Sequence, residues 1–163
     1  MTSEDYIIRE IKPSDNAALA KLIRSVIVEM GAPTVGTAYE DNATDMMFET
    51  YQKEKSTYFV LEYKNEIVGG AGIAHLDNYE GNVCELQKMY FLPIARGKGL
   101  ESKMIATCLE KAKTFGFELC YLETLPYMEA AVKLYKKYGF ENIDGPMGNT
   151  CHYNCNVWMT KKI

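Results

Sequence analysis

Apolar and polar positions alternate with period two in some stretches of the chain and with a helical period in others. Residues 6–11, "YIIREI", read as a short strand. In the following stretch Ala18, Leu19, Leu22, Ile23, Val26, Ile27 and Met30 form a helical stripe, with Asp15 placed as its N-cap. "GAPTVG" ends that helix. A weaker helical pattern covers about 43–53, with Met46, Met47 and Tyr51 on its apolar side. "STYFVLEY" and "EIVGGAGIAHL" read as two strands joined by a tight "KN" turn. "DNYEGN" is a second turn, and "VCELQKMYFL" a fourth strand.

Leu100, Met104, Ile105, Cys108, Leu109 and Ala112 predict a third helix that Gly116 closes. "FELCYLET" is a buried strand, "YMEAAVKLYKKYGF" an amphipathic helix closed by Gly139, and "HYNCNVWMTK" a final strand. One further short strand is expected around "FENI". A run of antiparallel strands followed by β-α-β-α-β predicts an α/β (α+β) fold. Its central sheet is mixed, with six to seven strands and helices on both faces.

Composition narrows the class. The chain has 163 residues, 47% hydrophobic and 25% charged, which suits one globular domain over 1–163. Its net charge of −4 gives no general basic face for nucleic acid. No run is long enough for a membrane span, and "MTSEDYIIRE" lacks the apolar core of a signal peptide. The five cysteines, three of them in apolar periodic segments, fit reduced thiols in a cytoplasmic protein. "CHYNC" brings Cys151, His152 and Cys155 together, but a zinc site needs about four ligands at workable spacing, so no metal is expected.

One junction stands out. "LPIARGKGLESKM" places Pro93, Arg96, Gly97, Lys98 and Gly99 between a strand and a helix. An ordinary glycine-rich turn with solvated cations is one reading. A phosphate-holding loop is the other. Gly97 and Gly99 let the backbone turn and approach a ligand, the first amides of a helix lack partners, and the helix dipole adds positive charge. Arg96 and Lys98 add full charges. The Walker string is absent, and the dinucleotide pattern would need glycine where Ser102 stands.

The chain resembles the GNAT (GCN5-related) N-acetyltransferase superfamily, most closely from "CELQKMYFLPIARGKGL" through "ETLPYMEAAVKLYKKYGF". The family's loop, Gln/Arg-x-x-Gly-x-Gly/Ala, appears as Arg96-Gly97-Lys98-Gly99-Leu100-Glu101. Its later pattern, A-x-x-L-Y-x-x-x-G-F, appears as Ala131 to Phe140. The two motifs occur in order, about 30 residues apart with a strand between. Two positions depart: Glu101 stands where glycine or alanine is usual, and Met128 where many members have asparagine.

The resemblance implies acetyl-CoA as cosubstrate and a GNAT fold. The diphosphate would lie on the backbone from Arg96 through Ser102, and the pantetheine arm along Met89, Tyr90 and Phe91, as an added strand. Tyr135 matches the family's general acid, and helical spacing equally allows it to be core. Glu85, on the strand before the loop, is a candidate base acting through water, or an exposed strand carboxylate, or a partner for Lys88. Glu123 is a lower-ranked substitute.

The acceptor would be a small-molecule or peptide amine. Glu29, Glu40, Asp41, Asp45 and Glu49 either steer that amine or form a solvated acidic face. Tyr39, Phe48 and Tyr51 either line its pocket or belong to the core. The family also implies a homodimer paired through the C-terminal strands. The leading expectation is a direct, ternary-complex N-acetyltransferase. The competing classes are a CoA-binding sensor with little or no turnover, which Glu101 and Met128 favour, and an interaction module needing no cofactor.

Overall fold

The computed structural model of the chain describes residues 5–124, 129–148 and 157–163. Among them seven strands form one sheet: β1 (Tyr6–Glu10), β2 (Thr57–Tyr63), β3 (Glu66–His75), β4 (Val83–Phe91), β5 (Leu119–Thr124), β6 (Glu141–Ile143) and β7 (Val157–Lys162). Their spatial order is β1-β2-β3-β4-β5-β7-β6. Only β4 and β5 pair in parallel. The helices are α1 (Asn16–Glu29), α2 (Met47–Thr50), α3 (Leu100–Thr114) and α4 (Glu129–Lys137).

Helices cover both faces. Leu19, Leu22, Ile23, Val26 and Ile27 of α1, with Met47 and Tyr51, pack on one face against Tyr58 and Val60 of β2. Leu100, Met104, Ile105 and Cys108 of α3, with Tyr135 of α4, pack on the other face against Phe59 and Leu61. Successive β2 side chains thus enter opposite cores, which is why "YFVL" is apolar throughout rather than alternating.

Three local expectations change. Asp15 stands at the N-cap position of α1, but its side chain makes no cap bond to that helix. It closes a short 3-10 turn instead, accepting from the Lys12 amide at 2.7 Å and from Arg9 at 2.8 and 3.0 Å. The pattern over 43–53 condenses into a 3-10 turn (Asn42–Asp45) and the four residues of α2; Met46 is exposed, while Met47 and Tyr51 are buried. At the ends of the α1 stripe, Ala18 and Met30 are exposed. The strand expected around "FENI" is present as β6, on the outer edge beyond β7. Met128 and the Cys151, His152 and Cys155 group lie outside the described residues.

The glycines of β3 make room for rings. A Cβ on Gly70 would lie 2.6 Å from the Tyr58 ring and 2.7 Å from its hydroxyl oxygen; on Gly69 it would lie 2.6 Å from the Phe91 ring. The ring space matters because the Tyr58 hydroxyl crosses to the Lys88 carbonyl at 2.7 Å. There the β3–β4 register jumps from Gly70↔Tyr90 to Gly72↔Gln87, so β4 carries one extra residue, and Lys88 has φ +48°. A bulge of this kind bends its strand, and it bends β4 just where the site begins.

Candidate active site

The β4–β5 ladder has three register pairs: Val83↔Leu119, Cys84↔Cys120 and Glu85↔Tyr121. Beyond them β5 stays with β7 as far as Thr124, while β4 passes through its bulge and stays with β3 as far as Phe91. The strands diverge and open a groove between them. Leu86, Met89 and Tyr90 form one wall, Leu122, Glu123 and Thr124 the other, with Tyr135 of α4 beside them. Past Phe91 the groove continues to Arg96 and Glu101 at the start of α3. Met89, Tyr90 and Tyr135 border both stretches.

At the α3 end a 3-10 turn (Pro93–Ala95) leads into Arg96. Gly97 and Gly99 then adopt φ +72° and +76°, a region costly for side chains other than glycine. A Cβ on either would meet nothing within 4 Å, so backbone conformation, not crowding, explains these glycines. The first α3 amide with a backbone acceptor is that of Lys103, bonded to Gly99 O at 3.2 Å. Among the described residues no acceptor pairs with the amides of Gly97, Lys98, Gly99, Leu100, Glu101 and Ser102. Six donors at a helix N-terminus make a site for an anion. Leu100 buries its side chain in the core, so its backbone alone can serve; Lys98 is exposed.

Arg96 borders the groove, and its guanidinium is bonded within the fold. Its Nε donates to Phe91 O at 2.9 Å, and its two terminal nitrogens donate to the Glu29 carboxylate at 2.8 Å each. Those hydrogen bonds hold the Glu29 carboxyl below its ordinary range. Arg96 therefore ties the end of α1 to the end of β4 and buttresses the groove. The other carboxylates considered for steering are also engaged. Asp45 holds Arg24 at 2.5 Å, Asp41 lies 3.6 Å from Lys88, Glu49 accepts from Asn16 at 2.6 Å, and Glu40 accepts from the Gly36 amide at 2.6 Å. Much of their charge is used inside the fold.

Tyr135 is buried, its ring edge-on to Phe140 at 6.0 Å. Burial, and then the Glu101 carboxylate, push its phenol above the ordinary tyrosine value. It therefore keeps its proton at neutral pH, as a general acid must. The ring is part of the core and also borders the groove. Glu101 lines the same stretch of wall, so it does not turn wholly to solvent.

Glu85 is buried on β4, not exposed, and Gln87 donates to it at 2.6 Å. It faces a second cavity, on the α2 side of the sheet, with Tyr51, His75, Gln87 and Lys88 in its lining. Tyr135 and Glu85 thus border different cavities, and Lys88 at the bulge borders both. Lys88 pairs with Asp41. Glu123 lies in the groove itself and accepts from the Tyr121 hydroxyl at 2.7 Å. Sequence reasoning missed Gln87, although the Glu-x-Gln spacing on a strand puts both on one face. The bulge at Lys88 has no comparable signature.

Comparisons with known proteins bear on the family and the fold. The model of the acetyltransferase (GNAT) family matches residues 27–140. A protein of Escherichia coli K12 named uncharacterized N-acetyltransferase YjgM is 42% identical over 158 residues, 96% of this chain and 95% of that one. An IAA acetyltransferase of Azospirillum brasilense is 28% identical over 115 residues, 70% of this chain and 73% of that one. Among solved structures, a GNAT-family acetyltransferase from Staphylococcus aureus Mu50 superposes with TM-score 0.84 at 20% identity, covering 96% of this chain and 98% of its own. YncA of Salmonella typhimurium, solved with its cofactor acetyl-CoA, gives 0.77 at 18% identity, covering 97% and 94%. A mixed sheet that splays between β4 and β5, a glycine-turned helix start and these relatives lead to one assignment: the chain is an acyltransferase of the GNAT acetyltransferase family.

Proposed function

We propose that the chain binds acetyl-CoA in the groove and transfers the acetyl group directly to a primary amine in a ternary complex. The observation that carries this reading is the continuity of one groove. Met89 and Tyr90 of β4, Tyr135 and Glu101 all border it, and Glu101 belongs to the run of unpaired amides at residues 97–102. The amides would hold the diphosphate. Met89, Tyr90 and Phe91 would bond the pantetheine arm as a strand would, since Tyr90 and Phe91 already use their other side to pair with Gly70 and Gly69. Acetyl-CoA supplies the activated acyl group.

The residues divide the proton work. Glu85 takes the proton of the incoming ammonium through water from the second cavity. As the N–C bond forms and the C–S bond breaks, Tyr135 gives its proton to the departing sulfur, and the second proton that the nitrogen sheds restores the phenol.

Release of CoA thiol is the direct test. Acetyl-CoA would be offered with a polyamine, an aminoglycoside, a lysine peptide and a free protein N-terminus. Thiol release that depends on one of these amines is expected, with the acetylated product confirmed by mass spectrometry. CoA binding without release from any of them would favour a sensor instead.

Glu101 is the observation on the side of that second reading, because a carboxylate on the groove wall repels a diphosphate. Glu101→Gln removes the charge and keeps the shape. It is expected to tighten CoA binding about fivefold, on the order of 1 kcal/mol. Unchanged affinity by calorimetry would place the charge out of the diphosphate's reach.

A further inference from the structure

Glu85 does not stand alone on its side of β4. Gln87 Nε2 donates to Glu85 Oε1 at 2.6 Å, and the Tyr51 hydroxyl donates to Gln87 Oε1 at 2.6 Å. Chemistry fixes the direction of this chain. An ionised carboxylate only accepts, so the Gln87 amide must turn its NH₂ to Glu85 and its carbonyl to Tyr51. Tyr51 is only 3% exposed and packs against the Tyr58 ring at 5.2 Å. Both rings lie over Gly72, where a Cβ would come within 2.6 Å of Tyr58 and 3.0 Å of Tyr51. Burial, and then the charge of Glu85, keep the Tyr51 phenol protonated, so it remains a donor. The series runs from a rigid aromatic pair to the cavity wall, and every donor in it points toward Glu85.

We propose that Gln87 and Tyr51 are positioning residues: they hold the Glu85 carboxylate in one orientation toward the acceptor cavity. This rests on the reading of Glu85 as the base in acetyl transfer. An amide suits the task because it orients a carboxylate without adding charge. The charges that surround Glu85 among the described residues are of both signs. Lys88 lies on its own strand, paired with Asp41. His75 and Asp77 come from the end of β3 and the turn after it, and Lys53 and Glu54 from the segment after α2. On β5 its register partner is Tyr121, bonded to Glu123. Against this mixed background a hydrogen bond donated to the carboxylate favours its charged form. Losing that bond raises the pH at which the base becomes available.

The test is kcat/KM against pH by thiol release, with acetyl-CoA and the same four amines, for the wild type, Gln87→Leu, Tyr51→Phe, Glu85→Gln and the Glu85→Gln/Gln87→Leu pair. Gln87→Leu should lower kcat/KM roughly tenfold. It should move the acid limb upward by about half a pH unit to one unit. Tyr51→Phe, which keeps the ring, should move the limb the same way by less. In the Glu85→Gln background Gln87→Leu should cost nothing further, because the two act as a unit. CoA affinity should stay unchanged throughout.

An acid limb that does not move in Tyr51→Phe overturns the proposal even if Gln87→Leu fails to fold. So does a Gln87→Leu penalty that persists undiminished beside Glu85→Gln. In both cases the acetyl-transfer reading survives. Full activity in Glu85→Gln removes the base and this proposal together, and no thiol release by the wild type overturns the parent reading as well.

Discussion

Gly99→Val is expected to reduce CoA affinity roughly 100-fold, about 2.7 kcal/mol, in a chain that remains folded. Gly99 sits at φ +76° and ψ 4° as the residue before α3. A β-branched side chain there costs about 1–3 kcal/mol of backbone strain. The chain relieves that strain by returning φ to negative values, which reorients the amides on either side of Gly99. The fold has little reason to fail, because a Cβ at this position meets nothing within 4 Å. Calorimetry with CoA and a urea unfolding curve separate the two effects. Wild-type affinity in this variant would contradict the loop assignment.

Tyr135→Phe should lower kcat about 100-fold or more while CoA affinity changes by no more than about twofold. The substitution keeps the ring and its edge contact with Phe140. Among the described residues the hydroxyl has no hydrogen-bond partner to strand, so stability should hold. The sign of the pH effect follows from the acid role. Tyr135 must be protonated to act, and burial followed by Glu101 raises its pKa. The wild-type basic limb from this group therefore lies above pH 10, the ordinary tyrosine value. A kcat in Tyr135→Phe equal to that of the wild type would remove the phenol from the proton-donor role.

Much of this was legible in the chain, for reasons that differ by residue. The strands and long helices follow from periodicity, because Leu19, Leu22, Ile23, Val26 and Ile27 have no other way to share a face. Gly97 and Gly99 marked a backbone turn before α3, and both adopt positive φ there. The short second helix was overread, since Met46, Met47 and Tyr51 fit a helical period although only four residues form α2.

Side-chain pairing was least accessible. Nothing in the local sequence says that Arg96 reaches 67 positions back to Glu29, or that Asp15 serves Arg9 rather than α1. Such choices are made by tertiary proximity, which a linear pattern does not encode. The bulge at Lys88 is of the same kind. It depends on the Tyr58 hydroxyl crossing the space left by Gly70 and Gly72, three strand segments that meet only in the folded sheet.

A crystal structure of the chain with bound CoA tests the central claim most directly. The account predicts diphosphate oxygens within hydrogen-bonding distance of amides in 97–102, the pantetheine arm beside Met89 to Phe91, and the sulfur in contact range of the Tyr135 hydroxyl. A diphosphate bound elsewhere, or a sulfur that the Tyr135 phenol cannot reach, would contradict it.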